Sequence, residues 1–322
     1  MPLALIFGVL GQDGSLLAKL LLEKKYEIIG VSRSLQHFEK YNNLNRLEIS
    51  DHVIKEGVSL KDYESVLHLI LKYKPAEIYN LAGQSSVNYS FEQPVETYLS
   101  IVSGTLNILE SLRVTGLPSK LFNAGSGQCF GNINQQIPNE NSQFLPCSPY
   151  GVAKSSAFSI TKNYREAYEV FACTGIMFNH ESQLRPETFV TQKIVAAACR
   201  ISKGLQKELT LGNLSIQRDW GWASEYVNAM WLMLQEITPD DYILATGVSH
   251  SLEEFTDTVF KLLGLNWKDF VRLNDQFRMP MDIVVSKGDP TKAAISLKWK
   301  ANINMHKVAE LMIEHTLNPL KT

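Results

Sequence analysis

A tyrosine and a lysine stand four residues apart in the segment SPYGVAK, as Tyr150 and Lys154. Side chains at this spacing share one face of a helix, and Pro149 is typical of a first helical turn. A tyrosine can accept the proton of an alcohol when a nearby ammonium lowers its pKa from the usual value of about 10. Ser126, which we expect at the end of the preceding strand, could orient that alcohol. The spacing is also common on helix surfaces, so the catalytic interpretation depends on the surrounding fold.

Gln128 follows Ser126 by two residues, in the segment NAGSGQCFGN. An amide forms hydrogen bonds but takes up no proton at any working pH. It therefore cannot supply general-base catalysis, which is typically worth ~10²–10⁴-fold in rate. Cys129 offers no obvious substitute, because we expect it to point away from its neighbour along a strand. The residues thus indicate alcohol oxidation more clearly than proton removal from carbon.

A glycine turn lies between the apolar run LALIFG and the helical segment SLLAKLLLEKKY. Gly8, Gly11 and Gly14 give it the spacing G-x-x-G-x-x-G. Such a turn lets the backbone approach a pyrophosphate and lets the helix pack on the strand without an intervening Cβ. Glycines cluster in structural turns as well, but the position after a buried strand favours a dinucleotide site.

The second strand ends in GVSRS, where Arg33 lies between two serines with no acidic residue before Glu39. An acidic residue there would hold the ribose 2′-hydroxyl of NAD, whereas arginine and hydroxyl groups suit the 2′-phosphate of NADP. Arg33 as a solvated surface cation is the alternative. We expect NADP, with NAD as the second choice.

Strands and helices alternate over roughly the first 180 residues, which indicates βαβ units and a parallel sheet. Beyond that point the elements become shorter and more irregular. We expect an α/β fold with a doubly wound parallel sheet of the Rossmann type and a smaller, interleaved C-terminal part. Residues 1–178, with part of 213–250, would form the dinucleotide-binding domain, and residues 179–322 mainly the substrate domain.

The composition argues against several classes of binding partner. The chain of 322 residues has a net charge of −2, which gives no field to attract nucleic acid or an anionic membrane. Its four cysteines are scattered and lie beside no histidine cluster, so we expect no metal and no disulfide framework. No apolar run approaches the ~20 residues that a membrane span requires, and the early first strand leaves no room for a signal peptide. We expect a soluble, cytoplasmic protein that acts on a small molecule.

Several longer motifs carry a family resemblance: GVLGQDGSLLAKLLLEKKYEIIGVSRS, PAEIYNLAGQSSV, SPYGVAKSSAF, FNHES, ETFVTQKI and LGNLSIQRDWGWASEYVNAMWLML. With them the chain resembles the extended short-chain dehydrogenases/reductases, and most closely the GDP-mannose 4,6-dehydratase family, over nearly its whole length. The resemblance implies a nicotinamide cofactor, a GDP-sugar substrate and a homodimer or homotetramer formed through helices like 95–113 and 151–168.

The resemblance also implies roles for single residues. Further cofactor contacts are implied at Gln12, Asp13, Ser59, Leu81, Ala82, Gln84 and His180. Substrate contacts are implied at Ser85, Asn179, Glu181, Lys193, Leu211, Gly212, Asn213, Arg218 and Arg278. Cations suit a diphosphate, since arginine donates paired hydrogen bonds to it. The alternative for the segment QRDWG is a structural turn with an internal Arg–Asp pair.

The chain departs from the family pattern at several places. Ser126 replaces a threonine and keeps its hydroxyl, Gln128 replaces a glutamate, and QLRP keeps only Arg185 of two arginines. The resemblance implies oxidation of C4 of a GDP-hexose followed by loss of water. Gln128 leaves open a C4 redox enzyme without dehydration: a 4-ketosugar reductase, a 4-epimerase or a 4-dehydrogenase. A nucleotide-sugar binding protein without turnover is the third hypothesis.

Overall fold

The computed structural model describes residues 1–40, 43–132, 136–274 and 281–319. Its strands are β1 (Leu3–Phe7), β2 (Glu27–Ser32), β3 (Val53–Gly57), β4 (Glu77–Asn80), β5 (Lys120–Ala124), β6 (Ala172–Met177), β7 (Asn179–Glu181), β8 (Leu209–Leu211), β9 (Gln217–Arg218), β10 (Trp220–Trp222), β11 (Tyr242–Leu244), β12 (His250–Ser251), β13 (Val271–Leu273) and β14 (Val285–Ser286).

The α-helices connect these strands. They are α1 (Gln12–Glu23), α2 (Gln36–Lys40), α3 (Asn43–Arg46), α4 (Tyr63–Tyr73), α5 (Val87–Glu92), α6 (Pro94–Tyr98), α7 (Gly104–Thr115), α8 (Pro149–Tyr168), α9 (Val190–Ser202), α10 (Ala223–Gln235), α11 (Leu252–Leu262), α12 (Trp267–Phe270), α13 (Thr291–Ser296) and α14 (Met305–Leu317). A π-helical segment, Leu99–Ser103, joins α6 to α7, and 3₁₀ turns occur at Ser50–His52 and Gly127–Cys129.

Seven parallel strands form the central sheet, in the order β3, β2, β1, β4, β5, β6, β11. Strand β6 is buried at every position and β1 at all but its first, as expected for strands with helices on both faces. Helices α1 and α10 pack together on one face, and α4, α7 and α8 form the layer on the other. The predicted doubly wound parallel sheet is confirmed.

The C-terminal part has a core of its own. Helices α9, α11 and α14 pack around buried side chains that include Ile194, Phe255, Phe260 and Met312. Short sheets border this core: β7 pairs with β10, β8 with β13, and β9 with both β12 and β14. The chain nevertheless returns to the large sheet, because α10 covers it and β11 forms its edge beside β6. No helix in the described ranges is both long and apolar enough to cross a membrane.

Two local predictions require correction. The segment around Cys129 is a 3₁₀ turn rather than a strand, because the Ser126 hydroxyl accepts the backbone N–H of Gln128 and turns the chain. The helix expected over 95–113 is interrupted by the π-helical segment Leu99–Ser103. The apolar pattern could not reveal it, since a change from i−4 to i−5 hydrogen bonds can leave the same face buried.

Candidate active site

The glycine turn fits a pyrophosphate. Gly8 has a φ of +85°, and a Cβ there would lie 2.8 Å from the carbonyl oxygen of Leu81. A Cβ on Gly14 would lie 2.2 Å from the carbonyl oxygen of Gly8, so packing requires both glycines. A Cβ on Gly11 would meet only that same oxygen, at 3.4 Å, which leaves open space at the N-terminus of α1. Backbone N–H groups without partners at such a terminus bind anions.

The ends of neighbouring strands border the turn. Leu81 and Ala82 directly follow β4 and lie against Gly8. Arg33 follows β2 and is exposed to solvent, while Ser59 follows β3 and is half-buried. These residues lie beyond the carboxyl ends of parallel strands, which is where open α/β sheets bind their ligands.

Gln84 and Ser85 lie further along the loop after β4. The Gln84 amide donates hydrogen bonds to the Ser86 carbonyl at 2.8 Å and the Thr97 hydroxyl at 3.0 Å, and it accepts the Ser86 N–H. Its hydrogen bonds therefore hold the loop in place. Ser85 is exposed.

Ser126, Tyr150 and Lys154 meet beyond the end of β5. Ser148 caps the N-terminus of α8 by accepting the Gly151 N–H at 3.1 Å, which sets the first turn that carries Tyr150. The Ser126 side chain lies close enough to the Tyr150 hydroxyl to act on its pKa. Nζ of Lys154 donates to a backbone carbonyl at the end of β5 at 2.7 Å and lies 5.8 Å from the centroid of the Tyr150 ring. The structure thus brings the three predicted catalytic side chains together.

Burial dominates the protonation of this group. It raises the pKa of Tyr150 to about 12, although the nearby Ser126 side chain acts in the opposite direction. It lowers the pKa of Lys154 to about 8. Near neutral pH the site therefore holds a neutral phenol beside a charged ammonium, and the ammonium can be lost at moderately alkaline pH.

Gln128 lies beside this group on the 3₁₀ turn. Its side chain is half-buried and forms no hydrogen bond within the described part of the chain, so its amide can turn towards a ligand. Burial raises the pKa of the neighbouring Cys129 thiol to about 11. Neither side chain is a base near neutral pH.

Gln12, Asp13 and His180 form one polar cluster that connects the start of α1 to β7. Nε2 of Gln12 donates to Asp13 at 2.9 Å and to the His180 carbonyl at 3.2 Å. Oε1 of Gln12 accepts the Ser182 hydroxyl at 2.8 Å, and the His180 ring contacts Asp13 at 3.0 Å. The side chains of Asp13 and His180 thus bind one another.

The residues of β7 differ in their exposure. Asn179 is exposed, whereas Glu181 is buried and forms an ion pair with Arg185 at 2.7 Å. The carboxylate of Glu181 therefore already has a charged partner. The sequence did not predict this ion pair, because two residues four apart need not be in contact outside a helix.

The predicted cations of the C-terminal part also have protein partners. Lys193 donates to the Thr210 carbonyl at 2.8 Å. Arg218 is buried, donates to the Ile283 carbonyl at 2.7 Å and forms an ion pair with Asp282 at 2.7 Å. Burial lowers the pKa of Arg218 below its usual range. The alternative of an internal Arg–Asp pair in QRDWG is wrong, because Asp219 instead accepts hydrogen bonds from Thr246 and Gly247.

The remaining candidates follow β8. Leu211 is its buried last residue and Gly212 is half-buried. The side chain of Asn213 accepts hydrogen bonds from Ser215, at 2.9 Å from its N–H and 2.8 Å from its hydroxyl. Arg278 lies outside the described residues.

Two residues of the site escaped the sequence analysis. Asp282 neutralises Arg218, and the Tyr226 ring stacks on the His180 ring at 4.5 Å. Both contacts join elements far apart in the chain, and no local pattern identifies them.

A glycine turn on a parallel seven-stranded sheet, with serine, tyrosine and lysine at the carboxyl edge, defines an extended short-chain dehydrogenase/reductase. Solved structures share the fold. A UDP-glucose 4-epimerase from Thermotoga maritima with UDP-glucose has a TM-score of 0.86 at 20% identity, over 99% of this chain and 100% of that one. A dTDP-glucose 4,6-dehydratase from Bacillus anthracis in complex with NAD has a TM-score of 0.85 at 18% identity, over 99% and 97%. RMD from Pseudomonas aeruginosa, complexed with NADPH, has a TM-score of 0.80 at 18% identity, over 99% of both chains.

Sequence similarity is more specific. The family described as GDP-mannose 4,6 dehydratase matches residues 5–312. GDP-mannose 4,6 dehydratase 2 of Arabidopsis thaliana is 43% identical, over 99% of this chain and 88% of its own length. GDP-mannose 4,6-dehydratase of Sinorhizobium fredii (strain HH103) is 40% identical, over 99% and 97%. The chain belongs to the GDP-mannose 4,6-dehydratase family, which confirms the family and the enzyme class predicted from the sequence.

Proposed function

We propose that this protein oxidises C4 of GDP-mannose and then eliminates water between C5 and C6. The observation that carries the proposal is the convergence of Ser126, Tyr150 and Lys154 beyond the end of β5, in a chain that belongs to this family from residue 5 to residue 312. A bound nicotinamide dinucleotide would supply the hydride acceptor and donor. Arg33, exposed beyond β2, supports NADP over NAD because it can pair with a 2′-phosphate.

Each of the three side chains would act on the sugar. Ser126 would orient the C4 hydroxyl, and Tyr150, in its minor tyrosinate form, would take its proton as the C4 hydrogen leaves as hydride. Lys154 would favour the tyrosinate through its charge. The resulting ketone acidifies the C5 proton. Loss of that proton and of the C6 hydroxyl gives an unsaturated ketone, and return of hydride to C6 and of a proton to C5 completes the 4-keto-6-deoxy sugar.

Gln128 is the observation that favours the second candidate, a C4 redox enzyme without dehydration. Such an enzyme needs only Ser126, Tyr150 and Lys154, and the amide of Gln128 cannot remove the C5 proton. This candidate is not favoured, because the relatives that are 36–43% identical over nearly the whole chain are named as dehydratases. We infer that Gln128 slows elimination rather than abolishes it.

Mass spectrometry of GDP-mannose incubated with the purified protein and NADP tests the proposal. A product lighter by one water, with one solvent deuterium at C5 when the reaction runs in D₂O, is the expected result. The Tyr150→Phe variant controls for contaminating activity. Unchanged substrate beside tightly bound cofactor would contradict dehydration and favour the C4 redox enzyme. Unchanged substrate without bound cofactor would favour a nucleotide-sugar binding protein without turnover.

The same proposal assigns the two ligands to different parts of the chain. Residues 1–178, with part of 213–250, would bind the dinucleotide, and residues 179–322 would mainly bind the GDP-sugar. Lys193 and Arg218 would contact the base and the diphosphate by exchanging their present protein partners for the ligand. Co-crystals with GDP would test this, since a GDP remote from both side chains contradicts it.

We further propose a cytoplasmic homodimer, with a homotetramer as the alternative. Exposed apolar side chains on the helices from 94 to 168 support self-association, because contact with a second copy would remove them from water. They are Val95, Tyr98, Leu99, Leu106 and Val152. Light scattering of the purified protein would distinguish monomer, dimer and tetramer.

A further inference from the structure

Four charged side chains surround the contact between α1 and β7. Asp13 and Glu181 carry negative charge, Arg185 carries positive charge, and His180 carries positive charge only when its ring is doubly protonated. Arg185 pairs with Glu181 at 2.7 Å and also donates to the His180 carbonyl. His180 contacts Asp13 at 3.0 Å. The cluster therefore sums to zero only with a protonated His180, at two negative and two positive charges.

The geometry of the His180 ring indicates that it is an imidazolium. Nδ1 lies 2.7 Å from the carbonyl oxygen of Phe178, and Nε2 lies 3.0 Å from Oδ2 of Asp13. Both neighbours are acceptors near neutral pH, so both ring nitrogens must donate. The ring also stacks on Tyr226, with centroids 4.5 Å apart and an angle of 20° between the planes. An aromatic face favours a cation.

The protonation of the pair agrees with this geometry. Burial acts to raise the pKa of Asp13, but the charge and the hydrogen bond of His180 outweigh it, and the pKa falls to about 2. Burial acts to lower the pKa of His180, but Asp13 raises it above its ordinary value. Only 9% of the His180 side chain and 22% of the Asp13 side chain are exposed, so water screens the pair weakly.

The position of Asp13 creates an electrostatic problem for an anion. Asp13 is the second residue of α1, and the N-terminus of α1 at Gly11 is where the open space of the glycine turn lies. A helix N-terminus attracts anions, but an uncompensated carboxylate in its first turn would repel a pyrophosphate. Both oxygens of Asp13 are turned to the protein, one to Gln12 and the other to His180.

We propose that His180 and Asp13 are positioning residues that act together: the His180 cation neutralises Asp13, so that the glycine turn presents no negative charge to the pyrophosphate of the dinucleotide. Asp13 in turn fixes the His180 ring against Tyr226. The pair thereby joins the cofactor turn to β7, which the chain reaches only after five further strands of the sheet. The proposal rests on the proposed function only in requiring a dinucleotide.

Other ionisable groups face the pair. Arg185 and Glu181 lie beside it on the β7 segment, Tyr226 lies on α10, and Tyr150 and Lys154 on α8 feel the charge of Asp13. A pH profile alone would mix these groups, and Lys154 in particular titrates at a pKa of about 8. The test therefore uses a double-mutant cycle, measured near neutral pH.

The cycle measures the dissociation constant of NADP, by calorimetry, for wild type, His180→Gln, Asp13→Asn and the double variant. The amide introduced by His180→Gln would keep a neutral donor to Asp13 but leave the carboxylate charge uncompensated, so we expect binding weaker by about tenfold. The double variant has no charge at either position, so we expect it to return to within about threefold of wild type. A purely structural role predicts instead that the double variant binds as weakly as His180→Gln or more weakly. His250→Gln, which removes a half-buried histidine 3.2 Å from Glu254, is the matched control and should bind like wild type.

A spectroscopic readout makes the test independent of binding and of the stability of the variants. In protein with ¹⁵N-labelled histidine, the signals missing from the His180→Gln spectrum, or from that of the double variant if the single one does not fold, belong to His180. Protons on both ring nitrogens near neutral pH are expected, and a ring with one bare nitrogen would overturn the proposal.

The outcomes separate this proposal from the proposed function. Restored binding in the double variant without dehydration of GDP-mannose would refute the function and leave the charged pair standing. Dehydration of GDP-mannose without restored binding in the double variant would refute the charged pair and leave the proposed function standing. A wild-type protein that binds neither NADP nor NAD would overturn both.

Discussion

At the scale of single residues, Tyr150 and Tyr164 share α8 but differ in what their hydroxyls contact. The Tyr150 hydroxyl lies near Ser126 in the candidate active site, whereas the Tyr164 hydroxyl donates to Glu110 at 2.8 Å. We expect Tyr150→Phe to lower the rate of GDP-mannose conversion by at least ~10²-fold, because it removes the group that takes the C4 proton. Tyr164→Phe also loses a hydroxyl and serves as the control. Steady-state rates and thermal unfolding of both variants would check this. Equal loss of activity in the two would contradict the assigned role.

Gln128 sets the second expectation at this scale. Its side chain has no hydrogen-bond partner in the described ranges, so a carboxylate could take its place without breaking a contact. We expect Gln128→Glu to speed dehydration by roughly 10–10²-fold, since a general base is typically worth ~10²–10⁴-fold and part of this would be lost to imperfect placement. Gln128→Leu should not gain activity. The readout is release of deuterium from GDP-mannose labelled at C5, and unchanged release in Gln128→Glu would indicate that another group already removes this proton.

At the scale of elements, we expect the glycines of the β1–α1 turn to serve two different purposes, packing at Gly14 and cofactor binding at Gly11. A Cβ on Gly14 would meet the Gly8 carbonyl oxygen at 2.2 Å, so Gly14→Ala forces the backbone apart and should destabilise the fold by about 1–3 kcal/mol. A Cβ on Gly11 would lie 3.4 Å from the same oxygen, which α1 can tolerate. We expect Gly11→Ala to keep the stability of wild type while weakening NADP binding. Denaturant unfolding and calorimetry measure the two effects, and a Gly11→Ala variant that binds normally would show that the pyrophosphate lies elsewhere.

The same scale shows what sequence could predict. The turn at Gly8–Gly14 and the strands that follow it are local patterns of glycine and apolar residues, and the structure contains them. The strand expected at Cys129 was wrong because one hydroxyl, that of Ser126, turns the chain. The partner of Arg218 could not be predicted, since Asp282 lies 64 residues further on and only the fold brings the two together. The functional roles of the candidate residues stay predictions.

At the scale of the whole molecule, the large sheet is complete only because the chain returns to it. Strand β11 follows the excursion through β7–β10, and Asp241 immediately precedes it. Asp241 is buried, forms an ion pair with Arg165 of α8 at 2.6 Å and accepts the Thr174 N–H of β6 at 2.7 Å. One carboxylate thus fastens the returning strand to a helix and a strand of the first 178 residues.

Loss of the Asp241 charge should lower the stability of the whole fold. Asp241→Asn leaves the partly buried guanidinium of Arg165, whose side chain is 14% exposed, without its counter-charge, so we expect unfolding to become easier by about 3 kcal/mol, the low end for a buried pair. The control is Glu166→Gln, which breaks an exposed ion pair with Lys162 at 3.8 Å and should change stability by less than about 0.5 kcal/mol. Because β11 belongs to the sheet that carries the cofactor turn, NADP binding and the native tryptophan fluorescence should be lost together in each protein, and in the variant both should be lost at a lower urea concentration than in wild type. If the C-terminal part unfolded first while NADP stayed bound, β11 would be dispensable for the cofactor half, and the two parts would be independent folding units.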